Sequence, residues 1–359
     1  AVWIKNGVVL RTGNFNQLFP EAKAAGATIN KLETACIGMP GFIDSHTHIC
    51  FAGSRAQDYA DRNSGKSYLE IARAGGGIWQ TVQQTREADA DTLTQLTLKR
   101  LQKQLQNGIT TTEIKSGYGL NLADELKILR AIQQAEKLSS TDYLNYITTE
   151  LLPVIKKEKL AERVDIFIEE SAFEPDVSKY FLSKAREMGF AITVHADQFT
   201  TGGSLVAVES DALSADHLEA STEVEINRLA KSNTVATVLP GASLGLGIPF
   251  APARKLLDAG CCLAIASDWN PGSAPMGDLL TQASLLGVYE KLSSTELLAG
   301  ITFRAARALG LRQLGKLQEG YVADIIGFEA SGYQEIFYHQ GQLKPSFCWI
   351  KGELQPLIQ

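Results

Sequence analysis

Short apolar runs alternate with helix-length segments through most of this chain of 359 residues. Leucines at helical spacing mark two of the intervening segments, one with Leu98, Leu101 and Leu105 and the other over residues 122–132. Parallel strands need crossovers of this length, so the alternation favours a parallel sheet flanked by helices. The eight candidate strands are residues 41–48, 110–114, 143–149, 164–168, 191–195, 212–215, 234–239 and 262–266. We therefore predict an α/β fold in which the strands close into a TIM-type (β/α)8 barrel, with a doubly wound open sheet as the alternative.

The two ends of the chain carry a different pattern. Strand-like pieces at residues 2–4 and 8–10 are broken by glycines, and residues 1–38 lack helical periodicity. Residues 323–328 and 348–350 repeat this texture without a long helix. We therefore predict a small β-sandwich domain built from residues 1–38 and 318–359, and a barrel domain over residues 39–317.

Composition and charge exclude several classes of partner. The formal net charge is −6, and no run of lysine and arginine is present, which argues against nucleic acid. The five cysteines are scattered without C-x-x-C spacing, as expected for reduced thiols. No signal peptide or long apolar segment stands out. We expect a soluble, cytoplasmic protein whose partner is a small molecule rather than nucleic acid or a membrane.

Polar residues that can bind metals stand where the candidate strands end. His46 and His48 close the first strand, and because side chains alternate along a strand, both point to the same side. His195 ends a later strand, and His217 and Asp268 follow two others. Taken singly, each is equally well explained as a hydrogen-bonded polar residue near a core. The carboxyl ends of barrel strands converge on one face, however, so four of the five histidines would meet there.

Three imidazoles and one carboxylate suit one particular group of metal ions. Zn²⁺ and Fe accept nitrogen and oxygen ligands together, and such an ion can lower the pKa of a water molecule to ~7. A second ion bridged through a modified lysine is not expected, because Glu169 and Glu170 rather than a lysine follow the strand at 164–168. The pattern therefore predicts metal-assisted hydrolysis at one ion.

Seven segments of the sequence, some of which contain the residues described above, resemble those of a known family. They are Pro40-Gly41-Phe42-Ile43-Asp44-Ser45-His46-Thr47-His48, Ala52-Gly53-Ser54-Arg55, Gly75-Gly76-Gly77-Ile78, Lys115-Ser116-Gly117-Tyr118-Gly119, His195-Ala196-Asp197-Gln198, Ser214-Ala215-Asp216-His217-Leu218 and Asp268-Trp269-Asn270-Pro271-Gly272. Together they resemble the imidazolonepropionases of the amidohydrolase superfamily, from about Gly38 to the C-terminus. The Lys-Ser-Gly-Tyr-Gly and Asp-x-Asn-Pro-Gly segments are specific to that family, whereas His-x-His is shared by the whole superfamily.

The resemblance implies a barrel of the amidohydrolase kind that hydrolyses the ring amide of 4-imidazolone-5-propanoate to N-formimidoyl-L-glutamate, a step of histidine degradation. It implies one Zn or Fe ion per subunit, held by His46, His48, His195 and Asp268. The residues implied for catalysis are Asp268, His217 and Gln198, and those implied for substrate binding are Arg55, Tyr118, Gln198, Asn270, Gly272 and Ser273. Asp268 would move a proton from water to the leaving nitrogen, and His217 would stabilise the oxyanion. The substrate carries a carboxylate arm, and self-association into a homodimer stays open.

One segment departs from the family. The family carries Gly-Ala-His after the third strand, with a histidine that contacts substrate, whereas here residues 147–149 run directly into residues 150–153. Either the protein lacks that histidine, which would argue against catalysis, or a mobile loop is missing from the sequence at this point. The match on both sides favours the second explanation.

Two other functions stay open. One is a ring deaminase of the same superfamily. Those enzymes carry a glutamate three residues after the histidine that corresponds to His195, but this chain has Gln198 there, and glutamine cannot titrate. The other is a catalytically impaired protein that binds a metal on a hydrolase fold, because fold alone does not imply function.

Overall fold

The structure is a computed structural model that describes residues 1–32, 34–136, 152–170 and 172–357. Its strands are β1 (Val2–Lys5), β2 (Val8–Thr12), β3 (Ile37–Pro40), β4 (Phe42–Asp44), β5 (Ile109–Thr112), β6 (Arg163–Ile168), β7 (Ala191–Ala196), β8 (Ser214–His217), β9 (Val235–Val238), β10 (Leu263–Ile265), β11 (Ile325–Phe328), β12 (Phe347–Ile350) and β13 (Glu353–Gln355).

Helices separate most of these strands. They are α1 (Phe15–Ala24), α2 (Ala56–Asn63), α3 (Tyr68–Arg73), α4 (Ile78–Glu87), α5 (Ala90–Gln106), α6 (Leu122–Glu136), α7 (Leu152–Glu158), α8 (Pro175–Glu187), α9 (Gly203–Glu209), α10 (Glu223–Ala230), α11 (Pro240–Leu246), α12 (Ala253–Asp258), α13 (Leu279–Glu290), α14 (Ser294–Gly300), α15 (Phe303–Ala308) and α16 (Gln334–Tyr338). The two leucine-rich segments of the sequence form α5 and α6, as predicted.

Strands β4 to β10 are parallel and follow the barrel order. Five of them form one sheet in the order β10-β9-β8-β7-β6, and β4 pairs with β5. The two sheets meet where Thr47 forms a parallel bridge with Trp269 and the Asp268 amide donates to the His46 carbonyl at 3.0 Å. The first barrel strand, β4, therefore lies beside the last barrel strand, β10. The strand predicted at residues 143–149 lies outside the described residues, in the stretch of chain between β5 and β6.

The buried carboxylate of Asp44 joins three of these elements. Its Oδ1 accepts from the Ser267 amide at 2.9 Å, and its Oδ2 accepts from the Ser267 hydroxyl at 2.5 Å and from Gln104 Nε2 at 2.9 Å. Burial raises the pKa of Asp44 to about 7. Strand β4, the residues after β10 and helix α5 are thus held together through one side chain.

Alternation along the strands separates the packed face from the barrel interior. In β6, Val164, Ile166 and Ile168 are buried in the main hydrophobic core, which also contains residues of α8 and β7. Asp165 and Phe167 point to the opposite face because successive side chains change sides. The apolar residues thus pack against helices and leave the other face of the strand for polar groups.

Both ends of the chain contribute to one small sheet. Its strand order is β13-β12-β11-β3, and β11 pairs antiparallel with β3. The β1–β2 hairpin attaches nearby, where the Val9 amide donates to the Tyr321 carbonyl and the Ala323 amide donates to the Gly7 carbonyl, both at 2.9 Å. These pairings bring residues from both ends of the chain together, and the β-sandwich domain over residues 1–38 and 318–359 stays a prediction.

Residues 1–38 contain a helix, although the sequence there shows no helical periodicity. Helix α1 begins after Asn14, whose side chain accepts from the Asn16 amide. Leu18 and Ala22 stand four residues apart and are both buried, so one face of the helix packs inward. Pro20 and the polar residues around it obscure this short periodicity in the sequence.

The structure also describes the state of the cysteines and the character of the helices. All five cysteines are free thiols, as the sequence predicted. In the part of the chain that the structure describes, no helix combines the length and the apolar character needed to cross a membrane.

Replacing Asp44 with alanine should lower the free energy of unfolding by roughly 2–4 kcal/mol, because buried donors on Ser267 and Gln104 would lose their acceptor. Urea unfolding in the presence of EDTA measures this without a contribution from metal loss. Asp91→Ala is the matched control, since Asp91 is exposed in the first turn of α5 and should change stability by less than about 1 kcal/mol. An Asp44→Ala midpoint equal to wild type would show that this carboxylate does not hold the strands together.

Candidate active site

Three histidines converge at the carboxyl ends of the barrel strands. His46 and His48 follow β4, and His195 lies near the end of β7. One ring nitrogen from each lies within 4.8 Å of the others, and the Nε2 atoms of His48 and His195 are 3.2 Å apart. The ring centroids of His46 and His195 are 4.3 Å apart. Three imidazole nitrogens thus face a common point, a spacing that suits one shared ion.

Asp268 brings a carboxylate to the same point. Its Oδ1 lies 3.6 Å from His46 Nε2 and 3.7 Å from His48 Nε2, and its side chain is buried. The Asp268 backbone has a φ of +50°, a left-handed conformation that is uncommon outside glycine and is often found at functional sites. With Asp268 as the predicted fourth ligand, the donor set would be three nitrogens and one oxygen, which would fit Zn²⁺ or Fe.

Carboxylates behind two of the histidines determine which nitrogen faces inward. His46 Nδ1 hydrogen-bonds Asp216 Oδ2 at 2.7 Å, and His195 Nδ1 lies 2.6 Å from Asp165 Oδ2. Because Nδ1 of each ring faces a carboxylate, Nε2 is the nitrogen left to face the shared point. His46 Nε2 is buried without a hydrogen-bond partner, as a nitrogen reserved for a metal would be.

Burial controls the protonation of this cluster. It lowers the pKa of His46 and of His48 well below the ordinary range, with further lowering by neighbouring cations such as Lys115. Both imidazoles are therefore neutral, which is the form that binds metals. Burial also raises the pKa of Asp268, so this carboxyl accepts a proton more readily than an exposed aspartate.

His217 stands beside the cluster with a different character. Its ring centroid is 5.4 Å from that of His195, and its Nδ1 is 3.4 Å from Glu219 Oε2. Burial works against the charged form, but Glu219 and then Asp268 outweigh it and raise the pKa of His217. His217 is thus suited to donate a hydrogen bond or carry a positive charge, whereas His46 and His48 are neutral.

The loop after Asp268 is held together by its own side chains. Asn270 Oδ1 accepts from the Gly272 and Ser273 amides, each at 2.8 Å. Its Nδ2 donates to the Asp268 carbonyl at 2.7 Å and to Ser273 Oγ at 2.9 Å. Ser273 Oγ in turn donates to Asp268 Oδ2 at 3.3 Å. The polar atoms of Asn270 therefore position Asp268, and a role of this loop in substrate binding stays a prediction.

Arg55 approaches this loop from the other side. Its Nε donates to Asp58 Oδ2 at 2.8 Å, and the same oxygen accepts from the Gly77 amide at 2.8 Å. A Cβ atom at Gly272 would collide with Arg55 Nη1, so a larger residue at this position would displace the guanidinium. Asp58 and Gly272 thus hold a guanidinium beside the loop that carries Asp268.

The remaining predicted residues lie on the neighbouring strand ends. The Tyr118 ring centroid is 6.1 Å from that of His48, and Tyr118 is buried. Gln198 is also buried and follows Asp197, which accepts from the Ser204 amide at 3.1 Å. The sequence has no histidine directly after Thr149, where the family carries one, and the chain around that point lies outside the described residues.

Sequence reasoning missed the layer of charged residues behind the histidines. Asp165 and Asp216 contact His195 and His46, and Lys115 contacts both carboxylates. The available signal was a charged residue at an inward position of an otherwise apolar strand, as in Arg-Val-Asp-Ile-Phe-Ile. Such a residue needs a partner inside the barrel.

Comparison with known proteins places the chain in a family. The sequence model described as "Amidohydrolase family" matches residues 37–354. An imidazolonepropionase of Bdellovibrio bacteriovorus is 40% identical over 334 residues, covering 88% of this chain and 79% of the relative. An imidazolonepropionase of Myxococcus xanthus is 38% identical over 364 residues, covering 95% of this chain and 86% of the relative. The chain belongs to the imidazolonepropionases, within the amidohydrolase family.

Solved structures agree on the fold. Atrazine chlorohydrolase TrzN from Arthrobacter aurescens TC1, complexed with zinc, superposes with a TM-score of 0.71 at 17% identity, over 98% of this chain and 89% of that one. A 5-methylcytosine deaminase from Klebsiella pneumoniae gives a TM-score of 0.72 at 15% identity, over 100% of this chain and 95% of that one. The predicted amidohydrolase-type barrel is thus confirmed, and with its histidine cluster this imidazolonepropionase family member is a metal-dependent hydrolase.

His46→Ala, His48→Ala and His195→Ala should each give folded protein with far less than one metal ion per chain, because each removes one of three nitrogen ligands. Elemental analysis of dialysed protein, with circular dichroism as the folding check, measures this. His339→Ala is the matched control, since this exposed imidazole lies near Glu335 in the terminal region, at 3.7 Å. Full metal content in any of the first three variants would remove that histidine from the ligand set.

Proposed function

We propose that this chain hydrolyses the ring amide of 4-imidazolone-5-propanoate, with N-formimidoyl-L-glutamate as product. The observation that carries the proposal is the convergence of His46, His48, His195 and Asp268 in a member of the imidazolonepropionases. A neighbouring guanidinium, that of Arg55, complements the single carboxylate on the substrate. A ring deaminase is less well supported, because Gln198 stands where proton transfer to leaving ammonia would need an acid.

The reaction adds water to the ring carbonyl and breaks the adjacent C–N bond. A Zn or Fe ion held by the three histidines and Asp268 would polarise the carbonyl and lower the pKa of the attacking water. Asp268 accepts the proton of that water and delivers it to the leaving ring nitrogen, so that water is consumed without a change in net charge at the site. The raised pKa of Asp268 suits a group that must hold a proton between these two steps.

His217 and Arg55 act on the two charged ends of the reacting substrate. The raised pKa of His217 favours the protonated ring, which donates a hydrogen bond to the oxygen that becomes negative as the carbonyl is attacked. Arg55 uses Nε for Asp58, which leaves its two terminal nitrogens as a fork for the propanoate. Binding at both ends fixes the ring amide between Asp268 and His217.

Purified protein supplied with zinc should convert 4-imidazolone-5-propanoate to N-formimidoyl-L-glutamate without releasing ammonia. Asp268→Asn should lower kcat roughly 10²–10⁴-fold, because the amide cannot carry the proton, while most of the metal stays bound. Mass spectrometry of the product and elemental analysis of the variant measure both effects. Asp176→Asn, at an exposed position of α8, is the control and should match wild type. Near wild-type turnover by metal-loaded Asp268→Asn would rule out the proton-transfer role.

Arg55→Ala should reduce kcat/KM by roughly 10- to 200-fold at unchanged metal content, since a hydrogen bond to a charged group contributes ~1.5–3 kcal/mol. Arg55→Lys should recover only part, because an ammonium cannot form the two-pronged contact. The loss should shrink for a substrate whose propanoate is replaced by a neutral amide. Arg130→Ala, which removes an exposed arginine, is the control. An equal loss for the acidic and the neutral substrate would show that Arg55 does not bind the carboxylate.

A further inference from the structure

Lys115 places a buried ammonium among the carboxylates behind the metal-binding histidines. Its side chain is 5% exposed, and its Nζ lies 3.1 Å from Asp165 Oδ2, 3.2 Å from Glu113 Oε1 and 4.0 Å from Asp216 Oδ2. The mechanism above does not use this residue. A lysine is rarely buried to this extent unless its charge is matched, so its position calls for an explanation.

The backbone fixes Lys115 against the strand that carries two of the metal ligands. The Lys115 amide donates to the Thr47 carbonyl at 2.8 Å, and Thr47 stands between His46 and His48. The Thr47 hydroxyl also donates to the Glu113 carbonyl at 2.6 Å. The base of the Lys115 side chain thus has a defined place relative to the histidine pair.

The two carboxylates that Lys115 approaches are the ones that contact ligand histidines. Asp165 Oδ2 lies 2.6 Å from His195 Nδ1, and Asp216 Oδ2 lies 2.7 Å from His46 Nδ1. The same carboxylate oxygens face Lys115 Nζ. One ammonium therefore connects the supports of two metal ligands that come from different strands.

Charge explains why the connection needs a cation. Asp165, Asp216 and Glu113 are three carboxylates close together inside the barrel, and without a positive charge between them they would repel one another and favour protonation. Burial alone would lower the pKa of Lys115, but these three carboxylates outweigh it and raise that pKa, so the amine is charged.

We infer that Lys115 is a positioning residue of the metal centre, whose ammonium bridges Asp165 and Asp216 and so holds His195 and His46 with Nε2 directed at the ion. The inference rests on the metal centre of the proposed function but not on the identity of the substrate. It differs from a purely structural role, in which Lys115 would neutralise buried charge without affecting how the histidines bind metal. It also differs from simple repulsion, in which removing the ammonium would tighten binding of a cation.

Lys115→Met tests the inference, because methionine fills the space of the stem without the charge. The zinc dissociation constant, from competition with a chelator, should rise about 10- to 100-fold, the usual effect of losing an outer partner of a metal ligand. The visible spectrum of the cobalt-loaded variant should also change, because two ligand rings would be less well oriented. Two results in folded Lys115→Met would overturn the inference. An unchanged dissociation constant would show that Lys115 has a purely structural role, and a smaller one would show that its charge only repels the ion.

Two further variants sharpen the result. Lys127→Met is the matched control, because Lys127 is a half-buried lysine on α6 that forms an ion pair with Asp124 at 2.9 Å. The zinc dissociation constant of this variant should equal that of wild type. If Lys115→Met does not fold, Lys115→Gln keeps an NH2 donor group without the charge and should show the same weakened binding and altered cobalt spectrum. Weakened binding without turnover of the imidazolone would leave the inference standing and overturn only the proposed function. Unchanged zinc binding in Lys115→Met, together with turnover of the imidazolone, would overturn the inference and leave the proposed function standing.

Discussion

The contact between the first and last strands of the barrel is the constraint on which the site depends. The two histidines, His46 and His48, follow strand β4, and the chain after β10 supplies Asp268. The bonds from the Ser267 amide to the Asp44 carboxylate and from the Asp268 amide to the His46 carbonyl hold these strand ends side by side. A carboxylate more than two hundred residues away in the sequence is thereby brought within 4 Å of both imidazoles. The contact between the first and last barrel strands therefore also brings the predicted metal ligands together.

Burial then gives each titratable group its chemical role. Removal from water keeps His46 and His48 neutral and makes Asp268 a better proton acceptor, while the same environment leaves His217 with a raised pKa because Glu219 lies beside it. Neighbouring groups that share one pocket are thus driven to different protonation states. That separation allows ligands, a proton carrier and a hydrogen-bond donor to coexist in a small space.

A second layer of polar contacts maintains this arrangement. Asn270 uses its amide group to hold the loop that presents Asp268, and Asp58 holds Arg55 against the same loop. On the opposite side, Asp165 and Asp216 hold the histidines and share the charge of Lys115. Groups that contact the ion or the substrate are thereby positioned by neighbours that touch neither.

The sequence by itself determined the class of fold and the residues that meet at the barrel mouth. Strand-length apolar runs separated by helices predict a parallel barrel, and in such a barrel the positions of His46, His48, His195 and Asp268 at strand ends are sufficient to bring them to one face. Helix α1 was missed because its buried face consists of only Leu18 and Ala22 around a proline. Only the tertiary structure decided that Asp165 supports His195, that Asp216 supports His46 and that Lys115 lies between them. Those pairings depend on strand order and register, which determine distances between side chains on separate strands, and periodicity along one strand carries no information about either.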